Sequence, residues 1–542
     1  MFLLLEKSEC NLGAQIIRIG CDETLEDNLV DQTSTIELAK ECWNFYNKDL
    51  LRDISSLHIN ALQSLSGENI DKWVTGKVKI FNDIGEIKES KEFNEHERIQ
   101  IKKLYTASKE ENFSNQMLEM AVNKNEILVN SIFGQGLASC KQSIYLPLHG
   151  GKNFLRFIDG NDSFYIIQRF NITGMYFPTK NIFIDFKSGH SRNSNIQKHI
   201  EKLNREIVRL FDKIVNLLKN RNSISLYALL VSFFRPYHFF NDFLSSLHSF
   251  HYYLNHELNK PEVFNKIPRI ISLEDGMFYS IKSLYSLPCE EQVVDVEDVN
   301  DILIDNHGFI VLPSSNKHYP KQEKSELNNL LVKRSIESVL RDPKQAKKFN
   351  KLKECFPILW FGICGERRSW DEKVRGIANI VQEVQKLYPN VGVVLDGLTS
   401  TEAQNEKIFR REHAISDTNV AKKIIKRIGP QIPAFNLVGS TSTKKIAYAS
   451  QVDFFLTSYS TDTMFVAHIC GKQGVAHMNT LKGTGQHEHP FIYKIPNKYI
   501  KNIIDEGSKR KGTNVSYSMK PKKVSTIFIR KLQEHLSKGN IF

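Results

Sequence analysis

Cysteine is sparse and scattered in this chain: eight in 542 residues (Cys10, Cys21, Cys42, Cys140, Cys289, Cys355, Cys364, Cys470), with no C-x-x-C pair. That spacing argues against a zinc ribbon and against a disulfide framework, and a reducing cytoplasm suits it best. Long apolar runs are missing too. None reaches the roughly 20 residues of a membrane-spanning helix, and Met1–Leu5 gives way to Glu6 and Lys7 too soon for a signal peptide. There is no internal repeat and no low-complexity tract. What remains is the composition of an ordinary globular chain, 41% hydrophobic and 25% charged. Its length is too great for one core and predicts two or three domains.

Charge is the first positive signal, at a formal +12. Much of the excess sits late. Between Lys498 and Lys538 there are eleven Lys and Arg residues against Asp505, Glu506 and Glu534. Such a run can hold a protein on an anionic leaflet, at about 1 kcal/mol per basic residue near the surface. It can also hold nucleic acid, or be no more than a solvated surface. Only Tyr499, Tyr517 and Phe528 interleave it, which argues against a nucleic-acid site.

Residues 1–130 mix short strand patterns (Gln15–Ile19, Val78–Phe81) with helix patterns (Ile36–Tyr46, His96–Lys109, Phe113–Val122) and carry no recognisable chemistry. Residues 130–187 read as strands at Ser143–Leu146, Phe154–Ile158, Phe164–Phe170 and Ile182–Phe186, with turns at His149-Gly150-Gly151 and Asp159–Asp162. An amphipathic basic helix fills 195–220. Beyond it, Ile224–Phe234 reads as a buried strand, and Arg235–His238 makes a turn before an amphipathic helix over Phe239–Leu254. Further strands are expected at Arg269–Leu273, Ile302–Ile304 and Phe309–Leu312. Alternating strands and helices imply a parallel sheet covered on both faces. The polar stretch 313–350 suits an interdomain connection, after which a second α/β unit runs over 355–495.

Two segments of that unit carry chemistry. In the first, Ile358–Ile363 is a strand, Gly365–Trp370 a loop, and Val374, Ile377, Ile380, Val381, Val384 and Leu387 form one stripe of a helix. Pro389-Asn390 stops that helix, and Val391–Leu395 is the next strand. The second runs from Phe435 to Asn479. A strand ends at Gly439, Ser440–Thr443 offer hydroxyls for a helix start, and Val452–Leu456 is buried-strand material. The turn Ser458–Thr463 and a helix from Met464 to Cys470 follow. A strand, a polar turn and a helix start together present backbone N–H groups to a phosphate.

These segments resemble the donor-binding domain of heptosyltransferase-type glycosyltransferases. The matching residues are Leu437-x-Gly439-Ser440-Thr441-Ser442, Asp453, Asp462-Thr463 and Gly471-Lys472-Gln473-Gly474-Val475, with Trp370 in the earlier loop. The chain departs from the pattern at Met464 (Gly in the family), at Asp371 (Pro in the family) and at the family's His, replaced or shifted to His468. The resemblance implies an α/β fold of two Rossmann-like domains facing a cleft (GT-B type), here with a mixed α+β N-terminal extension. The corresponding division is 1–220 for the extension, 221–345 for an acceptor-side domain, and 346–542 for the donor-binding domain with its basic C-terminal tail. The implied activity is sugar transfer from a nucleotide-diphospho donor, ADP-heptose by resemblance, without metal or other cofactor. A surface glycan, a lipid-linked precursor or a protein would be the acceptor.

Such an enzyme must grip a diphosphate, bind a ribose, stabilise the leaving nucleotide and deprotonate a hydroxyl. Arg367 and Arg368 suit the diphosphate as guanidinium forks, or are a surface pair. Thr461, Asp462 and Thr463 suit the phosphates or a sugar hydroxyl, or form a helix cap. Asp396 and Gly397 end a strand where ligands collect. Glu402 and Glu406 suit a ribose diol, or answer a helix dipole. His477, with His487 and His489 nearby, suits a nucleotide contact. His238, oriented by Asp242 one helical turn on, is the candidate base, with Asp242 itself as an alternative and a structural role as a third reading. Two other classes stay open: a non-catalytic membrane-associated scaffold, and a nucleic-acid-binding protein using the basic tail. The site expected for the protein is cytoplasmic, on the inner-membrane surface if the tail binds lipid.

Overall fold

A computed structural model of the chain describes residues 76–539, apart from 111, 148–150, 161, 170, 187–194, 211–212, 214–225, 232–234, 306–307, 314–320, 366–368, 404–407, 460, 482–490 and 504–514. The patterns at Gln15–Ile19 and Ile36–Tyr46 lie outside these residues, as do Arg367, Arg368, Glu406, His487 and His489. The fold is mixed α/β with several sheets. Two compact units fall within 1–234, 240–273 and 287–319, and within 235–239, 274–286 and 320–542.

The first unit opens with β1 (Lys79–Phe81), the helices α1 (Glu95–Ala107) and α2 (Phe113–Lys124), and six further strands: β2 (Ile127–Asn130), β3 (Leu137–Leu146), β4 (Lys152–Asp159), β5 (Asp162–Gln168), β6 (Ile172–Phe177) and β7 (Ile182–Asp185). β2 to β7 form an antiparallel meander, and β1 adds in parallel beside β7. Apolar residues opposite one another fix the register. Phe157 pairs with Phe164 across β4 and β5, and their rings stack 5.2 Å apart. α3 (Ile196–Arg209) buries Ile196, Ile200, Leu203 and Ile207, an i, i+4, i+7, i+11 stripe.

A parallel sheet follows in the same unit: β8 (Leu226–Val231), β9 (Arg269–Leu273), β10 (Glu290–Val294) and β11 (Gly308–Val311), in the order β10-β9-β8-β11. The helix α4 (Ser245–Tyr252) lies between β8 and β9 in sequence. The strand expected at Ile302–Ile304 is instead part of α5 (Val299–Asp305), because Val299 and Leu303, one helical turn apart, are both buried. The edge strand β11 is closed by side chains of the meander. Ile310 N donates to Ser143 Oγ (2.9 Å), Asn153 Nδ2 donates to Ile310 O (2.9 Å), and Leu312 N donates to Gln168 Oε1 (3.3 Å). Asn300 exchanges two hydrogen bonds with the backbone of Tyr145, at 2.8 and 2.9 Å. The division expected at residue 220 therefore runs through one unit, since buried polar groups need these partners.

In the second unit, the stretch expected to be a connection is helical: α6 (Lys321–Arg341) and α7 (Pro343–Lys353). Every fourth residue of α6 from Leu327 through Leu331 and Ser335 to Val339 is buried, a narrow stripe hidden by charged neighbours. Asp342 caps α7 by accepting from the N–H groups of Lys344 and Gln345. Then come β12 (Ile358–Gly362), α8 (Lys373–Leu387), β13 (Gly392–Asp396), α9 (Ile408–Ile428), β14 (Ala434–Asn436), α10 (Ser442–Ala449), β15 (Phe454–Ser458), β16 (Gly474–His477) and β17 (Ile492–Lys494). All pair in parallel, in the order β14-β13-β12-β15-β16-β17. Numbered within the unit, that order is 3-2-1-4-5-6, the doubly wound arrangement whose direction reverses between β12 and β15.

The basic C-terminal segment packs onto the second unit. β18 (Lys501–Asn502) and β19 (Tyr517–Ser518) pair, and α11 (Pro521–Gly539) buries Val524, Phe528 and Leu532 in the same core as β12 and α8. Trp370 Nε1 donates to Met519 O at 3.2 Å. This segment is part of the folded unit because its apolar positions recur every four residues beneath the lysines.

Candidate functional site

The carboxyl ends of β12, β13 and β15 stand side by side at the switch point, where doubly wound sheets bind ligands. Strand ends deliver Gly362, Asp396 and Ser458 to that edge. A Cβ on Gly362 would come within 3.0 Å of Thr457 Cβ and 3.4 Å of Asp462 Cβ, so the chains after β12 and β15 approach closely here.

Five charged side chains converge on this edge. Lys445 on α10 is fully buried. Its ammonium donates to Gly397 O (2.7 Å), Leu398 O (3.0 Å) and Thr399 Oγ1 (3.0 Å). Those three bonds use all its hydrogens, and Asp396 Oδ1, 2.6 Å away, is held by charge. Asp417 on α9 spans two loops: Oδ1 accepts from Gly365 N at 2.9 Å and Oδ2 from Leu398 N at 3.0 Å. Gly397 leaves room for it, because a Cβ there would lie 2.9 Å from Asp417 Oδ2. Lys373, opening α8, donates to Ile363 O (3.0 Å) and Ser369 Oγ (2.7 Å). The loop after β12 is thus anchored on both sides of Arg367 and Arg368. Tyr517 adds two backbone bonds, donating to Ser369 O and accepting from Asp371 N.

Asp462 is the fifth. It lies in the single helical turn Thr461–Thr463 after β15, half-buried. Burial pushes its carboxyl up to about 8, the nearby Asp396 and Asp417 add to the rise, and Lys445 and Lys373 oppose it. Burial also raises Asp396 against the pull of Lys445, and raises Asp417 against the pull of its two N–H bonds. Two buried hydroxyls here, Ser442 Oγ and Ser458 Oγ, have no hydrogen-bond partner among the described residues. Among the described residues no group of three or more His, Cys, Asp or Glu is arranged to hold a metal ion.

Asp396, Gly397, Asp462 and Thr463 are therefore brought together, with Thr461 beside them in the backbone. Gly397 serves the packing of Asp417. Glu402 Oε1 accepts from Thr443 Oγ1 at 2.6 Å, beside the start of α10. His477 is a core residue. It is buried at the end of β16, Nδ1 lies 2.5 Å from Tyr517 Oη, and Trp370 packs edge-on 5.6 Å away. Burial drives its ring down to about 3, so it stays neutral and contributes packing, not a cation for phosphate. His238 ends the short helix Pro236–His238 and is exposed, its ring against Tyr237; Asp242 is half-buried in the π-helical turn Phe239–Leu244. Asp417 and Lys445 were missed in the sequence because helical charges look like solvated faces when their partners are distant, and Lys373 because a lysine opening a helix shows nothing of its loop partners.

No family model matches the chain, and no curated protein sequence matches it. Among solved structures it is similar to E. coli ADP-heptose LPS heptosyltransferase II, at 12% identity over 54% of this chain and 79% of that one, with a TM-score of 0.23. A likeness that loose carries no functional weight. No described helix is long and apolar enough to cross a membrane.

Proposed function

We propose that the carboxyl edge of the β12–β17 sheet holds a nucleoside diphosphate, and that the chain is a glycosyltransferase using a nucleotide-diphospho sugar. One observation carries this: the 3-2-1-4-5-6 strand order puts a switch point between β12 and β15, and the loops meeting there are anchored by charged side chains. Arg367 and Arg368 sit between two anchored points and supply forks for the diphosphate. Backbone N–H groups of the Thr461–Thr463 turn and the hydroxyls of Ser442 and Ser458 offer further donors. The base is His238 with Asp242, and ADP-heptose with a glycan, lipid-linked or protein acceptor completes the reading. The GT-B-type pairing of domains and metal-independent transfer belong to the same proposal.

Calorimetric titration of the full chain with ADP, UDP, GDP and CMP tests it. A response to one diphosphate that weakens in Arg367→Ala or Arg368→Ala is the expected result. Indifference to all four nucleotides would remove the reading.

A further inference from the structure

The loop after β12 is tied to a stretch of chain far away in sequence. Among the described residues, five hydrogen bonds join Ser369–Glu372 to Tyr517–Met519. Tyr517 N donates to Ser369 O and Asp371 N donates to Tyr517 O, each at 3.0 Å, as one parallel bridge. Trp370 Nε1 donates to Met519 O at 3.2 Å. Glu372 closes the set: Ser518 Oγ donates to its Oε1, and Met519 N donates to its Oε2 at 3.1 Å.

Glu372 is out of character where it stands. It immediately precedes α8, and an acid there ordinarily turns toward the N–H groups of its own helix. Its side chain makes no such bond. Both oxygens go instead to residues 146 and 147 positions further on. Hydrogen bonds to a charged acceptor are about twice as strong as neutral ones, so this carboxylate is a firm tie. The segment it holds is itself anchored. Tyr517 and Met519 are buried, and α11, which starts two residues later, packs Val524, Phe528 and Leu532 into the core. On the other side, Asp417 holds Gly365 N, and Lys373 holds Ile363 O and Ser369 Oγ. The loop is therefore fixed at both ends, at Gly365 and at Ser369–Glu372. A loop that must become ordered to grip a diphosphate binds more weakly by the cost of that ordering, and ends fixed beforehand reduce it.

We propose that Glu372 is a positioning residue of the nucleotide site: by strapping Tyr517–Met519 onto the loop after β12 it preorganises that loop for a diphosphate, which makes the C-terminal segment an integral part of the site. This deepens the nucleotide-sugar reading above and rests on it. Glu372 acts through the loop and takes no part in breaking a bond.

The test uses the full chain in its natural form and as Glu372→Ala, Glu372→Gln, Ser518→Ala and the double variant Glu372→Ala with Ser518→Ala. Hydrogen exchange without ligand comes first. Peptides spanning 369–373 and 515–520 should exchange about tenfold faster in Glu372→Ala and about threefold faster in Ser518→Ala. Calorimetry with ADP, UDP and GDP follows. The diphosphate that binds the natural chain should bind Glu372→Ala about tenfold more weakly, and Ser518→Ala or Glu372→Gln, which keeps one acceptor oxygen, about threefold more weakly. Because Ser518 acts through Glu372, the double variant should bind no worse than Glu372→Ala, whereas independent effects would multiply. Asn153→Ala in the first unit is the control for stability alone: it should lower the melting temperature without weakening nucleotide binding. Ser518→Ala, the loss of a single hydroxyl, carries the test if Glu372→Ala does not fold. Unchanged exchange of 369–373 in the single variants, or faster exchange with unchanged affinity, would overturn the positioning role and leave the nucleotide reading standing. No binding of any of the three nucleotides by the natural chain would overturn that reading and the positioning role with it.

Discussion

The two parallel sheets of this protein are braced in opposite ways. In the first unit the edge strand β11 is held by neutral groups, Ser143, Asn153 and Gln168, which satisfy backbone N–H and C=O and do not titrate. In the second unit the carboxyl edge is held by charges: Asp417, Lys373 and Lys445 bond to loop backbone, and Asp396 pairs with Lys445. Neutral bracing meets the demand for hydrogen bonds at the least desolvation. Buried ions cost more and return little net stability. A fold that places them at one sheet edge, at the switch point, places them where a charged ligand can complete the balance. The difference between the sheets separates a neutral seam from a charged edge.

The largest expected effect strikes the charged side. Lys445→Met leaves Asp396 buried without its cation and three loop acceptors unmet, and should cost about 3–5 kcal/mol in urea unfolding. Adding Asp396→Asn should restore part of that loss. A cost near 1 kcal/mol would mean that the pair is not the brace described.

Next is the ligand grip. Arg367→Ala or Arg368→Ala should weaken nucleotide binding by about 1.5–3 kcal/mol with little change in melting. Unchanged affinity in both single variants and in the double variant would take this loop out of the site.

The neutral seam should respond less and differently. Asn153→Ala removes a bond to Ile310 O and one to Gln168 Oε1, and should cost about 1–3 kcal/mol. Because no charge is involved, that cost should not vary between pH 6 and 9. A pH-dependent loss would erase the contrast between the two sheets.

The smallest effect concerns the C-terminal helix. Lys522 and Lys523 lie near the start of α11, and Lys523 lies 5.5 Å from the Tyr499 ring centroid. Replacing both with Gln should change stability by less than about 0.5 kcal/mol. If this face meets anionic lipid, flotation with anionic vesicles at low salt should fall in the variant while neutral vesicles show no difference. Equal recovery with both vesicle types would leave the lysines as solvated surface.

Much of the second unit was legible in its apolar runs. Ile358–Ile363, Val391–Leu395 and Val452–Leu456 appear as β12, β13 and β15, and the stripe from Val374 to Leu387 is α8. Short runs bounded by turn residues carry that signal well. Amphipathic helices rich in lysine were harder. α6 and α11 read as a linker and a tail because their charges outnumber the narrow buried stripes of Leu331 and Phe528. At the charged edge, Asp396 at a strand end and Asp462 in the turn after β15 were legible from position. Lys373, Asp417 and Lys445 were not, since most of the atoms they bind are loop backbone atoms, up to 52 residues away in the case of Gly365 and Asp417. Backbone partners leave no mark in a sequence. His477 was misjudged for the converse reason: a histidine late in a donor-type segment suggests a ligand contact, and only Trp370 and Tyr517 reveal that it is core.

Hydrogen exchange of the full chain, with and without a saturating nucleoside diphosphate, puts the central claim to its most direct test. Protection on binding should fall on 362–371, 396–401 and 458–464, the three loops that meet at the β12–β15 switch point. β11 and the strands that brace it should be unchanged. Protection confined to the first unit, or none with any of ADP, UDP, GDP or CDP, would contradict the assignment of the charged edge as the site.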